Sequence, residues 1–296
     1  MTLYGVQYIV ANIKPVFVKI IFKWNTMLSG VCLPSIYRLA LTDIYDGIKE
    51  WRIWLLLAWQ DVKLRYRRST LGPFWITLSM AITIYTMGLL YGRLFKMELS
   101  QYYPYLAAGI LGWSLISSLL TEGAIIFVDS EQFIKQMKQP YSVFVFRTVT
   151  KCFIIFFHHI IVLIPIILIF KVKINFYSFF SLLSLVIIWL NGVVYGVILA
   201  ILGTRFRDVV QLIISLTQVI FFLTPIIWSP RVLPERYQYI VKLNPFAQFM
   251  ELLRNPLLGS LPSNYTIFFT VSVTLLGFII SFVAFSRYRA RIAYWL

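Results

Sequence analysis

The sequence predicts an all-α integral membrane protein: six transmembrane helices, an N-terminal amphipathic interfacial helix, and two short re-entrant helices before the last span. Three observations carry that expectation. Of 296 residues, 60% are hydrophobic and only 13% charged, against about 25% charged in soluble domains. Several apolar runs reach the roughly 20 residues that cross about 30 Å of hydrocarbon. Third, the Lys and Arg residues gather at the ends of those runs, where positive side chains set topology.

The chain opens with an apolar stretch, Val6 to Phe22, broken by Lys14, Pro15 and Lys19 and followed by no small-residue cleavage site, so it is not expected to be a signal peptide. Residues 1–41 read as an N-terminal extension. From Thr42 a helix is expected, because Ile44, Ile48, Trp51, Leu55, Ala58 or Trp59, Val62 and Tyr66 recur at three- and four-residue steps. The opposite face carries Asp46, Lys49, Glu50, Arg52, Asp61, Lys63 and Arg67, which makes residues 42–70 an amphipathic helix for the cytoplasmic membrane surface. Asp61 and Arg65 are spaced to pair one turn apart. A surface anchor and a part in gating or partner contact both fit this segment.

Six spans fill residues 71–286: Leu71 to Leu94, Tyr105 to Val128, Cys152 to Phe170, Phe176 to Gly203, Val209 to Trp228, and Thr266 to Phe285. With both termini cytoplasmic, 19 of the 27 Lys and Arg residues fall inside and 8 outside, which is the asymmetry of an inside-anchored topology. Residues 287–296 form a cytoplasmic tail. The net charge of +16 is thereby accounted for by helix flanks, and nucleic acid is not an expected partner.

The second and third spans are separated by a short helix that Asp129 or Ser130 can cap and Pro140 ends. Phe133 and Met137 fall one turn apart on it, an apolar pair suited to a groove on a soluble partner, although a helix lying on the membrane also fits. Phe206 stands among charges in the second cytoplasmic loop, with Arg207 and Asp208 beside it. Before the last span, Pro234 to Leu243 and Phe246 to Leu258 read as two short helices broken at Asn244 and Pro245. Their apolar faces need cover, so both are expected to dip into the outer membrane region, where protein must satisfy their ends.

No phosphate loop of the form Gly, four residues, Gly, Lys, Ser or Thr occurs, so this chain is not expected to split ATP by that route. Cys32 and Cys152 form neither a metal motif nor a disulfide framework. His158 and His159 are adjacent in one span and cannot share a helix face, which argues against a metal pair. Glu122 is the acid placed well inside a span; it can sense protons, pair with a cation on a neighbouring helix, or reach the interface.

The run Asp61-Val62-Lys63-Leu64-Arg65-Tyr66-Arg67-Arg68-Ser69-Thr70-Leu71-Gly72-Pro73-Phe74-Trp75 resembles the start of the permease subunits of type-2 ABC exporters for O-antigen, capsule and teichoic acid. The resemblance continues through Gly88 to Phe95, Phe206-Arg207-Asp208-Val209, Thr224-Pro225-Ile226-Ile227-Trp228, and Asn244-Pro245 with Leu253, Arg254 and Gly259. It covers nearly everything from Thr42 onward.

This resemblance implies a transporter subunit of the bacterial inner membrane, not an enzyme, that moves a lipid-linked polysaccharide. It implies a homodimer served by two nucleotide-binding ATPase subunits that bind the ATP and Mg. Thr42 to Arg68 and Asp129 to Gln139, with Phe133, Met137, Phe206, Arg207 and Asp208, would then face the ATPase. The outer gate would fall at Tyr239, Asn244, Pro245 and Phe249. Aromatic residues make up 18% of the chain and sugar faces pack on aromatic planes; Phe74, Tyr85, Phe221, Phe222 and Trp228 are the expected conduit positions.

Overall fold

The structure is a computed structural model that describes residues 35–65, 67, 69, 72, 74–173, 175–230 and 233–296. The stretch Val6 to Phe22, Cys32, Tyr66, Arg68, Leu71 and Pro73 lie outside the described residues. The chain divides into one unit that ends at Thr42 and a second, Asp43 to Leu296, that contains the helical bundle.

All regular structure among the described residues is helical. Helix α1 spans Ser35–Lys49 and α2 Trp51–Arg65. The single amphipathic helix expected from Thr42 is therefore two. Glu50 interrupts them as a turn, its own N–H still bonded to the Asp46 carbonyl and its carbonyl accepting from Ile53. Asp61 and Arg65 also do not pair with each other: each finds a partner on another helix.

Helix α3 is Phe74–Leu94 and α4 is Leu99–Asp129. Helix α4 starts earlier than Tyr105 and carries Pro104 inside it, past the first turn, and Glu98 accepts from Ser100 Oγ and Gln101 Nε2 across the first turn. The short α5, Glu131–Gln136, leads to α6, Tyr141–Ile160, and α7, Leu163–Ile169. A turn at Phe176–Phe179 enters α8, Phe180–Arg205. Helix α9, Asp208–Leu223, ends at the Thr224-Pro225 step. Helices α10, Gln238–Leu243, and α11, Pro245–Leu257, bracket Asn244. Helix α12, Asn264–Tyr288, and α13, Ile292–Trp295, close the chain.

Five of these segments are long and apolar enough to cross a membrane: Phe74–Leu94, Leu99–Gln136, Tyr141–Ile169, Phe176–Arg205 and Asn264–Trp295. The expected fifth span, Val209 to Trp228, is represented by the 16-residue α9, since Pro225 cannot continue the helix and biases Thr224 to the extended backbone it adopts. The protein is a multi-pass membrane protein. Leu275, Leu276, Phe278 and Ile279 stand more than half exposed along α12, an apolar surface of the kind that hydrocarbon or a protein partner covers.

Helix α4 is the central element. It packs most extensively on α8 and also meets α3, α6, α7, α9 and α11. The α4/α8 approach depends on Gly203, where an added Cβ would collide with the Ala124 carbonyl oxygen. Where helices associate without a hydrophobic driving force, such close packing of small residues supplies the attraction.

Gly203→Ala is expected to separate α4 from α8 and to lower the apparent Tm of the detergent-purified protein by several degrees, since overpacking costs about 1–3 kcal/mol. Gly196→Ala, whose Cβ meets Ile126 Cδ1 at an ordinary 3.5 Å, is expected to leave it unchanged. Equal behaviour of the two variants in a thermal-stability assay contradicts this packing.

Candidate functional site

Two polar assemblies sit toward opposite ends of α4, around Glu122 and around Tyr102. About twenty residues of helix separate them, roughly 30 Å at 1.5 Å per residue.

The first assembly begins with Asp43, whose side chain is buried. Its carboxylate accepts from the backbone N–H groups of Tyr141 at 3.1 Å and Ser142 at 3.0 Å, and from Ser142 Oγ at 2.9 Å. Those are the first N–H groups of α6, so Asp43 caps a helix far away in sequence, where an anion also meets the positive end of the dipole. Arg289 Nε donates to the same carboxylate at 2.7 Å. One buried acid thus joins α1, the start of α6 and the end of α12. Gly47 keeps α1 close: a Cβ there would collide with Ser142 Oγ.

One step along, Arg147 of α6 forks onto Asp61 of α2, with Nε to Oδ2 at 2.7 Å and Nη2 to Oδ1 at 2.6 Å. The guanidinium carbon lies 5.3 Å from the Phe133 ring centre. Glu122 takes two cations, Lys151 at 2.7 Å and Arg65 at 3.1 Å. Of the three roles open to Glu122, the structure realises pairing. A cavity of about 290 Å³ lies among these groups, lined by Asp61, Arg65, Asp129, Arg147 and Lys151.

Arg147 and Lys151 explain why α6 begins at Tyr141 although the expected span begins at Cys152. Read locally they are loop charges; paired with Asp61 and Glu122 they enter the helix at tolerable cost.

Phe133 and Met137 do not share a helix face. Helix α5 ends at Gln136, Met137 has extended backbone, and its side chain is exposed while Phe133 covers Arg147. Ser130 occupies the cap position without a side-chain capping bond, and neither it nor Asp129 caps through its side chain. Phe206 is half exposed; Arg205 lies 5.1 Å from the ring centres of both Phe206 and Trp295. Arg207 and Asp208 are exposed at the start of α9. Helix α13 touches both α5 and α8, so Met137, Phe206 and the C-terminus share one end of the bundle. Trp295 and Arg289 are participants that sequence reading missed, because their partners lie far away in the chain.

The second assembly surrounds the non-helical stretch 224–228. Tyr102 Oη donates to the Ile227 carbonyl at 2.9 Å, and Tyr105 Oη to the carbonyls of Pro225 and Trp228. Arg254, 3% exposed, donates to the Pro225 carbonyl at 2.8 Å and lies 4.0 Å from the Tyr105 ring centre. An arginine stays charged even when buried, so the carbonyl and the ring face are what the charge has in place of water. Gly109 leaves room for it, since a Cβ there would meet Arg254 Nη2 at 2.6 Å.

Asn244 accepts from Phe246 N and Ala247 N, capping α11, and donates to Leu223 O and Thr224 Oγ1. Pro245 occupies the first turn of that helix. Phe249 is buried and Tyr239 exposed.

The aromatic positions disperse. Phe74 and Phe222 are largely exposed. Tyr85 packs on Tyr103, Phe221 on Trp113 and Phe222, and Trp228 Nε1 donates to Phe222 O. The two histidines part company: His158 Nδ1 bonds within its own helix to Ile154 O, and His159 Nδ1 meets Ser114 Oγ on α4 at 3.3 Å.

Residues 52–258 match the model of the ABC-2 type transporter family. Two curated relatives, each called O-antigen export system permease protein RfbA and each from Klebsiella pneumoniae, are 24% identical to this chain. The first aligns over 246 residues, 79% of this chain and 91% of the relative; the second over 199 residues, 64% and 74%. The family match covers more than half of the chain, and on that ground the chain belongs to the ABC-2 type transporter family as a type-2 ABC permease.

Proposed function

We propose that this permease moves a lipid-linked polysaccharide of the O-antigen type across the bacterial inner membrane, driven by ATP that a separate subunit hydrolyses. The observation that carries the reading is the similarity, over most of both chains, to permeases named for O-antigen export. The family match over residues 52–258 supports it. Teichoic acid, capsule, drugs and other lipids are the alternative cargoes of the same machine.

In this reading the subunit is a homodimer with both termini cytoplasmic, and two ATPase subunits hold the ATP and Mg. The chain divides into an extension at 1–41, an interface helix region at 42–70, a six-span domain at 71–286 and a tail at 287–296. Helix α9 with the stretch 224–228 makes the sixth crossing, and α10 and α11 are re-entrant. That role is supported by the satisfied carbonyls of 225, 227 and 228, because irregular backbone at membrane depth needs protein partners.

The first assembly acts as the coupling face. A push on Met137, Phe206, Arg207 or Asp208 reaches α6 through Phe133, Arg147 and Asp61, and reaches α12 through Arg289 and Asp43. The second acts as the outer gate. Asn244 joins the end of α9 to α11, so Tyr239, Asn244, Pro245 and Phe249 move with Phe221, Phe222 and Trp228, which line the conduit with Phe74 and Tyr85.

The purified chain alone is expected to hydrolyse no ATP, and vesicles holding it with its ATPase to transfer lipid-linked O-antigen glycan when ATP is added. Transfer of a teichoic acid precursor instead would reassign the cargo; hydrolysis by the isolated chain would end the reading.

Because Phe133 also covers Arg147, the cleaner test of docking is Met137→Asp with Phe206→Asp, two exposed apolar side chains. This double variant is expected to insert normally, to lose most binding to the ATPase, and to export at less than about a tenth of the native rate, the scale of two truncated interface anchors. Native binding and export would remove both residues from the interface.

A further inference from the structure

A cavity of about 240 Å³ lies between α4, α8, α11 and α12, and Pro245 and Phe249 at the start of α11 form part of its wall. Ile116 and Leu120 line it from α4, Asn191 and Gly192 from α8, Phe249 from α11 and Val273 from α12. Among its lining residues only Asn191 and Tyr195 carry polar side chains. Tyr195 Oη is committed to the Val273 carbonyl at 2.9 Å.

Asn191 is 8% exposed. Its Nδ2 donates to the Ile187 carbonyl at 2.8 Å and to Thr274 Oγ1 at 2.7 Å. The Thr274 hydroxyl spends its own proton on the Thr270 carbonyl, so Oγ1 faces Asn191 as an acceptor. These two acceptors fix the amide's orientation, because turning it would press its oxygen against the Ile187 carbonyl. Oδ1 is left buried with no donor among the described residues, on a side chain that lines an otherwise apolar space.

We infer that this cavity binds a membrane-dissolved alcohol, an apolar molecule of about ten heavy atoms with one hydroxyl. The size is scaled to the volume here from a cavity of about 150 Å³ that accepts benzene. The hydroxyl is required by Oδ1, which needs one donor. A lone water leaves most of the space empty, since its share of liquid volume is about 30 Å³ against about 240 Å³ here. A pure hydrocarbon leaves Oδ1 unpaired, and an ion finds no counter-charge in the lining. Asn191 lies near the middle of α8, which spans Phe180–Arg205, so the source is the hydrocarbon interior of the bilayer. An occupant bridges α11 to α4 and α8 and holds α11 in place.

The test uses the full chain in phosphatidylethanolamine/phosphatidylglycerol vesicles with a diazirine derivative of 1-octanol, followed by mapping of the photoadducts by mass spectrometry. Adducts are expected at residues such as Ile116, Phe249 and Val273. Excess 1-octanol should protect them about fivefold better than octane at matched membrane concentration, the factor one net hydrogen bond supplies.

Val273→Phe, which fills the space, should abolish the protected adducts, and Asn191→Leu should erase the preference for octanol over octane. Should Asn191→Leu fail to insert, the octanol and octane competition on the native chain together with Val273→Phe decides the matter. Adducts spread without protection over lipid-facing residues such as Leu275 and Ile279, or protection by octane equal to that by octanol, would overturn the inference.

Discussion

The Asp61 and Arg147 ion pair is the constraint on which the rest of the Glu122 end of the bundle depends. Arg147 sits well inside α6, and a guanidinium there is tolerable only when its charge is met by a carboxylate in fork geometry. Asp61 supplies it from α2, which obliges α2 to lie along α6, and α2 and α6 are among the most extensively packed pairs in the protein. Once α2 is placed, Arg65 reaches Glu122, and Lys151 completes that pairing from α6. Asp43 finishes the same task at the start of α6, where it stands in for the missing first-turn carbonyls and collects Arg289. From Asp43 onward the helices ahead of the first span are therefore tied to the bundle by charge.

At the other end the same logic runs through neutral carbonyls. Pro225 ends α9, and the residues after it have no helical partners for their backbone. Tyr102, Tyr105, Arg254 and Asn244 supply donors from α4, α11 and the α10/α11 break. Each donor sits on an element that packs elsewhere, so the non-helical stretch is held from several sides. A break in a helix at this depth becomes a fixed feature instead of a defect.

Legibility in the sequence tracks the range of the interactions. Five of the six expected spans and the Asn244-Pro245 break are local, written in apolar runs and in the chemistry of neighbouring residues, and they are readable. Helix starts at Leu99 and Tyr141 were placed too late, because the second is capped by Asp43 and its charges are neutralised by Asp61 and Glu122, none of them near in sequence. Asp61 and Arg65 looked like an intrahelical pair by spacing alone; the better buried partners won. Phe133 and Met137 looked like one face because the helix was drawn through Met137, whereas its last turn closes at Gln136. The buried Arg254 stood out only as part of a family pattern, since nothing local announces that a charged residue will be covered by a tyrosine ring and a carbonyl.

A double-mutant cycle on Asp61→Asn and Arg147→Gln tests the anchoring of α2 to α6 most directly, with apparent stability read from thermal unfolding of the purified permease. Each single variant is expected to be destabilised and the double variant to be less destabilised than the sum, with a coupling of about 1–3 kcal/mol. Additivity within about 0.5 kcal/mol would mean that the pair does not anchor α2 to α6, and the placement of the helices around Glu122 would lose its physical basis.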